Sequence, residues 1–174
     1  CSSPGGKALQ LLEAVGTEGR LVAADKSEEK LAPVRHTLSR AGSNFTTLAL
    51  PEEPAAIDLG ERFTHILVDA PCSNTGVLAQ RPEARWRYGP AAVRSLAELQ
   101  AGLLRAGAER VKRGERLVYS TCSLEPEENE RCVERFLRDR PDFELEAAIQ
   151  ELPALEDPSG PVDGGYAARL RRES

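Results

Sequence analysis

The 174-residue sequence has no CxxC pair, no Cys/His cluster at zinc-ligand spacing, and only two histidines, His36 and His65. A structural metal is therefore not expected, and a thiol-redox function loses its usual motif. The four cysteines show no close pairing, so they do not read as a disulfide framework, and a reducing, cytoplasmic compartment is expected. No apolar run approaches the length of a membrane span, and no signal-peptide pattern is present. Positive charge is also short: 23 Lys and Arg against 28 Asp and Glu give a net charge of −5. That balance argues against whole-surface binding of nucleic acid and leaves room for a local basic patch.

What is present is one domain's worth of soluble chain, 40% hydrophobic and 29% charged. Its most informative feature is a pair of hydrophobic runs that each end on a cysteine. One is Ile66-Leu67-Val68-Asp69-Ala70-Pro71-Cys72-Ser73, the other Leu117-Val118-Tyr119-Ser120-Thr121-Cys122-Ser123. A short apolar run closed by small residues reads as a buried parallel strand. If both runs share a sheet, both thiols lie at its carboxyl edge, where open α/β sheets place ligands. Two thiols there point to covalent chemistry, given something to activate a thiolate.

The rest of the chain alternates strand and helix. Strands are expected at Leu21–Ala24, Phe45–Leu50, Phe63–Val68, around Leu117, and finally at Tyr166–Leu170. Helices are expected at Ala8–Val15, after Ser27, at about Ala91–Val111 and at Glu127–Asp139. Ser27 is placed as a helix cap, with Pro33 near the first turn, where proline is tolerated. This alternation implies βαβ units, an α/β class and a mostly parallel sheet. The strand that should precede the opening loop is absent, so the sequence reads as a piece of a larger protein lacking its first, central strand.

Pro4-Gly5-Gly6-Lys7 lets backbone pass close to a ligand and exposes amides at a helix start, or is simply a tight turn. It is neither GxGxxG nor GxxxxGK followed by Ser or Thr, so dinucleotide and P-loop readings lose support. Asp25, at the end of the next strand, can accept hydrogen bonds from both hydroxyls of a ribose, or can merely cap the helix after it. Arg81-Pro82-Glu83-Ala84-Arg85-Trp86-Arg87-Tyr88 interleaves arginines with two aromatics and can contact phosphates and stack an unpaired base. Trp86 can equally be a loop anchor. Glu127, Glu128 and Asn129 either complement a helix dipole or order the Cys122 loop. Arg169, Arg171 and Arg172 read as a solvated tail or an RNA contact, and Cys132 as core.

Taken in order, CSSPGGK, AADKSEEKL, ILVDAPCSNTGV, RPEARW, LVYSTCSLEPEENE and GGYAARLRR resemble the motifs of the RNA cytosine carbon-5 methyltransferases, the Nop/Sun or RsmB-like group. The resemblance covers nearly the whole chain. It implies a Rossmann-like methyltransferase fold over residues 1–174, the C-terminal catalytic part of a larger protein. S-adenosylmethionine would be the cofactor and RNA, ribosomal or transfer, the substrate, with further RNA-binding sequence upstream. It assigns Cys122 as the nucleophile that attacks carbon 6 of cytosine and Cys72 as the residue of product release. Asp69 would bind the pyrimidine's polar edge and lie against the cofactor. Cys1, Ser2, Ser3, Pro4, Gly5, Gly6, Lys7 and Asp25 would complete the cofactor site, and Pro71, Arg81, Arg85 and Trp86 would face RNA.

Three positions depart from the family pattern. The acidic residue usual after the third strand falls near Leu50 and Pro51, with Glu52 or Glu53 able to substitute. Asn74 replaces a common glycine after the PCS motif, and Thr64 stands where an aspartate usually follows Phe. The competing reading is a degenerate methyltransferase fold that binds RNA or protein without catalysis.

Overall fold

The computed structural model describes residues 2–42, 44–154, 156 and 160–174. Cys1, assigned above to the cofactor loop, lies outside the described residues. The chain divides into two compact units, residues 1–57 and 58–174.

The first unit holds α1 (Gly6–Val15), β1 (Leu21–Asp25), α2 (Glu28–Ser39) and β2 (Phe45–Ala49). β1 and β2 pair in parallel from Leu21↔Phe45 to Asp25↔Ala49. Ala8 and Leu12 of α1, Ala23 of β1, and Val34 and Leu38 of α2 form its core. Ser27 caps α2 as expected, its Oγ accepting from the Lys30 amide at 3.4 Å. Pro33 is a correction: it sits inside α2, beyond the first turn. There it removes the bond its own amide would have given to the carbonyl four residues back.

The second unit holds β3 (Phe63–Asp69), α3 (Pro90–Arg110), β4 (Val111–Thr121), α4 (Glu130–Asp139), β5 (Phe143–Glu151) and β6 (Gly165–Arg172), in a sheet ordered β3-β4-β6-β5. β3 and β4 are parallel, whereas β6 runs antiparallel to both β4 and β5. Among the described residues parallel pairing is confined to β1–β2 and β3–β4, and the second unit's sheet is more mixed than alternation alone implies. Leu104 and Ala108 of α3, Leu117 and Tyr119 of β4, Val133 and Phe136 of α4, and Leu170 of β6 meet in the core. Gly114 has a φ of 79° where β4 slips register, Phe63 pairing with Val111 but His65 with Arg116.

Strand β5 was not anticipated. Its sequence alternates apolar Phe143, Leu145, Ala147 and Ile149 with Glu144, Glu146 and Gln150, the period-2 signal of a strand, although only Phe143 of its nine residues is fully buried. The final strand runs two residues beyond the expected Leu170, through Arg172.

Candidate active site

Parallel pairing of β3 with β4 aligns Asp69 with Ser120, so both cysteine-terminated runs leave the sheet at the same edge. The Cys72 and Cys122 sulfurs lie 3.1 Å apart. Cys72 is buried and Cys122 partly exposed, and neither is in a disulfide. A hydrogen bond to Cys122, together with burial, pushes the Cys72 thiol far above the ordinary cysteine range. Cys72 therefore keeps its proton and can donate it toward its neighbour's sulfur. A donor of this kind stabilises a thiolate on Cys122.

Asn74 adopts the left-handed conformation, φ 62°, that the glycine usual at this position would take without strain. Its Nδ2 donates to the Cys72 carbonyl at 2.9 Å, and its Oδ1 accepts from the Cys122 thiol at 3.1 Å. Asp69 accepts from the Ser120 hydroxyl at 2.8 Å, fixing the carboxylate at the end of β3. The loop after Cys72 is pressed against the loop around Cys122: the Gly76 amide donates to the Cys122 carbonyl at 3.0 Å, and the Gly164 amide to the Gly76 carbonyl at 2.8 Å. A Cβ on Gly76 would stand 2.6 Å from the Gly164 carbonyl carbon and 3.0 Å from the Cys122 oxygen. Glycine is required there by contact rather than by φ.

In the first unit, Ser2 donates its hydroxyl to the Ala24 carbonyl at 2.8 Å, tying the opening loop to the end of β1. Gly5 has a φ of 116°, and a Cβ there would meet Thr37 at 3.3 Å. Gly6 faces open space, with nothing within 4 Å of an added Cβ, and α1 begins there without a side-chain cap. Asp25 is 2% exposed, and its Oδ1 accepts from the Ser27 amide at 3.3 Å. The cap of α2 is Ser27, which leaves Asp25 a polar group at a strand end rather than a cap. A cradle left open at Gly6, an uncapped helix start and a carboxylate at the end of β1 fit the ribose and charged tail of a nucleoside-like cofactor. Glu52 pairs with Lys26 at 3.5 Å, beside that carboxylate in sequence.

Arg81, Arg85 and Trp86 sit on an exposed 3-10 turn, Pro82–Trp86. Trp86 is 89% exposed and Ala84 2%, so the loop is anchored by the alanine and the tryptophan anchors nothing. Tyr88 donates to Glu125 at 3.2 Å. The three C-terminal arginines lie in β6, Arg169 within the expected strand and Arg171 and Arg172 in its extension, so they are not a solvated tail. Arg169 pairs with Glu146 at 2.8 Å, Arg171 lies 3.7 Å from Glu144, and Arg172 donates to the Val111 carbonyl at 2.9 Å. Cys132 is buried in the core, as expected.

Two sets of residues escaped sequence reasoning. Gln100 is 0% exposed in the middle of α3, within the stripe Val93, Ala97, Leu104, Ala108. A polar residue on an apolar helix face was the available signal. Ser73 and Ser123 follow the two cysteines, and only the repeated Cys-Ser pairing hinted at them.

Alternating strands and helices with parallel pairing in each unit are the Rossmann-like architecture of S-adenosylmethionine-dependent methyltransferases. Among solved structures, PH0851 superposes with a TM-score of 0.84 at 29% identity, over 97% of this chain and 40% of that one. The structure of NSun6 from Pyrococcus horikoshii with SFG gives 0.81 at 27% identity, over 100% of this chain and 47% of that one. The family described as 16S rRNA methyltransferase RsmB/F matches residues 1–158, and the chain belongs to that family. A probable ribosomal RNA small subunit methyltransferase B of Synechocystis is 39% identical over 150 residues, 84% of this chain and 33% of the relative. The ribosomal RNA small subunit methyltransferase B of Klebsiella pneumoniae (strain 342) is 36% identical over 182 residues, 100% of this chain and 41% of the relative. The chain thus spans roughly a third to two fifths of the length of these curated relatives.

Proposed function

We propose that this chain carries the catalytic centre of an S-adenosylmethionine-dependent RNA methyltransferase that modifies carbon 5 of cytosine, in ribosomal RNA, through a covalent bond to Cys122. The observation that supports it most is the 3.1 Å approach of a partly exposed thiol to a buried one.

Carbon 5 of cytosine is too weak a nucleophile to be alkylated directly. The Cys122 thiolate adds to carbon 6, and the electron pair of the 5,6 double bond moves to carbon 5. Asp69 holds the polar edge of the ring and favours protonation at the ring nitrogen, which takes up the developing negative charge. Bound S-adenosylmethionine supplies an electrophilic methyl group for carbon 5. Water takes the carbon 5 proton, the freed electron pair re-forms the 5,6 double bond, and the bond from carbon 6 to the Cys122 sulfur breaks with its pair returning to sulfur as thiolate. Cys72, holding its proton beside that sulfur, stabilises it as a leaving group and so assists product release.

Ser2, Ser3, Pro4, Gly5, Gly6 and Lys7, with Asp25 and Asp69, would hold the cofactor. Pro71, Arg81 and Arg85 would meet the RNA, and Trp86 offers a ring on which a base extruded from its stack can rest. Both thiols must stay reduced for this chemistry, which suits the cytoplasm.

The test is adduct formation with RNA carrying 5-azacytidine, using the full-length protein. The wild type should form a denaturation-resistant complex, Cys122→Ser should form none, and Cys72→Ala should still form it. An adduct that survives in Cys122→Ser would refute the assignment.

A further inference from the structure

The buried carboxylate of Glu128 has no part in the steps above, yet it touches both cysteine loops. We propose that Glu128 is a positioning residue that locks the Cys72 loop to the Cys122 loop and thereby sets the approach of the two sulfurs. The inference rests on the reading of Cys122 as nucleophile and deepens it.

Glu128 is 0% exposed and lies just before α4 (Asn129 is the residue flanking the helix), but its side chain turns to the strand edge. One oxygen accepts from the Ser73 amide at 3.0 Å and from Gln100 Nε2 at 2.8 Å. The other accepts from the Ser123 hydroxyl at 2.5 Å and, more closely still, from the Ser73 hydroxyl. Ser73 and Ser123 are the residues directly after Cys72 and Cys122. Their hydroxyls also meet each other at 3.0 Å. Gln100 ties the arrangement to α3 and to the Pro71 carbonyl at 2.9 Å.

Every one of these donors is uncharged. A buried carboxylate served only by neutral donors is a demanding arrangement, because each donor loses its partner if the acceptor goes. Dipole complementation at a helix start would need none of it, since an exposed carboxylate serves that purpose. A side chain that ends in two polar atoms can engage both serines and the glutamine at once. A backbone carbonyl, with one oxygen, cannot bridge the loops in this way.

The experiment measures three quantities in the full-length protein: the adduct rate with 5-azacytidine RNA, the pH dependence of Cys122 alkylation by iodoacetamide mapped by mass spectrometry, and S-adenosylmethionine affinity. Glu128→Ala should slow adduct formation about 100-fold, the effect expected of misplacing a reacting group by about an ångström. It should also move the Cys122 alkylation midpoint to higher pH, because Cys72 no longer stands in place to donate. Cofactor affinity should stay within about twofold of wild type. Glu128→Gln keeps one acceptor oxygen, and both hydroxyls can rotate to accept from its amide, so it should recover most of the lost rate.

A folded Glu128→Ala with wild-type adduct rate overturns the proposal. So does a slowed adduct with an unchanged Cys122 titration, which would make Glu128 a residue of the fold only. If Glu128→Ala does not fold, Ser123→Ala removes one donor with less damage. It should show the same titration shift in smaller measure, and no shift there overturns the proposal. Should wild-type protein form no adduct at all, the functional reading fails, while the alkylation profile still reports on Glu128 separately.

Discussion

The two units of the chain build their sites in opposite ways. In the first, the groups at the strand end belong to short local segments: Ser2, Gly5 and Gly6 within one loop, and Asp25 with Ser27 at the end of β1. Backbone and its conformation carry that site, and its core of a few residues from α1, β1 and α2 only has to support it. In the second, side chains carry the site, and they come from far apart in sequence. Cys72 meets Cys122 across 50 positions and Ser73 meets Glu128 across 55. Sites of the first kind tolerate changes that leave the loop conformation intact. Sites of the second kind fail when one packed contact moves, because several donors and acceptors share few partners.

The sharpest break in this contrast is Cys122→Ser, which should abolish the RNA adduct while leaving cofactor affinity within about twofold of wild type. Comparable effects on both would mean that the two units do not divide the work as described. A pair of glycines comes next. Gly76→Ala drives a methyl into Gly164 and Cys122 and should lower stability by about 2–3 kcal/mol, read as a fall in the denaturation midpoint. Gly6→Ala, whose methyl enters open space, should leave that midpoint nearly unchanged and weaken cofactor binding in a calorimetric titration.

The next contrast concerns protons. Because the Cys72 thiol is held well above the ordinary range by Cys122 and by burial, it should remain unalkylated at pH 8 to 9 while Cys122 reacts. The sign follows from the direction: a raised thiol loses its proton, and gains reactivity, only at higher pH. Peptide mapping after brief iodoacetamide treatment reads this directly. The smallest effect belongs to Asn74→Gly. Glycine keeps the φ of 62° at no strain, so stability should change by less than about 1 kcal/mol. The acceptor facing the Cys122 proton is lost, however, and the acid limb of the single-turnover rate should shift to lower pH.

Much of this was legible from residues alone. Two apolar runs closed by cysteine placed β3 and β4, and the Ser27 cap placed α2. β5 was legible as well, in the alternation of Phe143, Leu145, Ala147 and Ile149 with Glu144, Glu146 and Gln150, but the expected elements left it out. Arg169, Arg171 and Arg172 read as a solvated tail or an RNA contact because their partners, Glu146, Glu144 and Asp142, become neighbours only when β6 pairs with β5. Trp86 read equally well as an anchor, and Ala84 took that place.

By itself the chain determined its elements, its thiols and the turn chemistry around them, since periodicity, caps and φ preferences act over a few residues. Only the tertiary structure decided that a serine after each cysteine would share one carboxylate with a glutamine from α3, and that one thiol would hold its proton against the other. Those outcomes depend on burial and on distances between segments some 50 residues apart, quantities that no local pattern encodes.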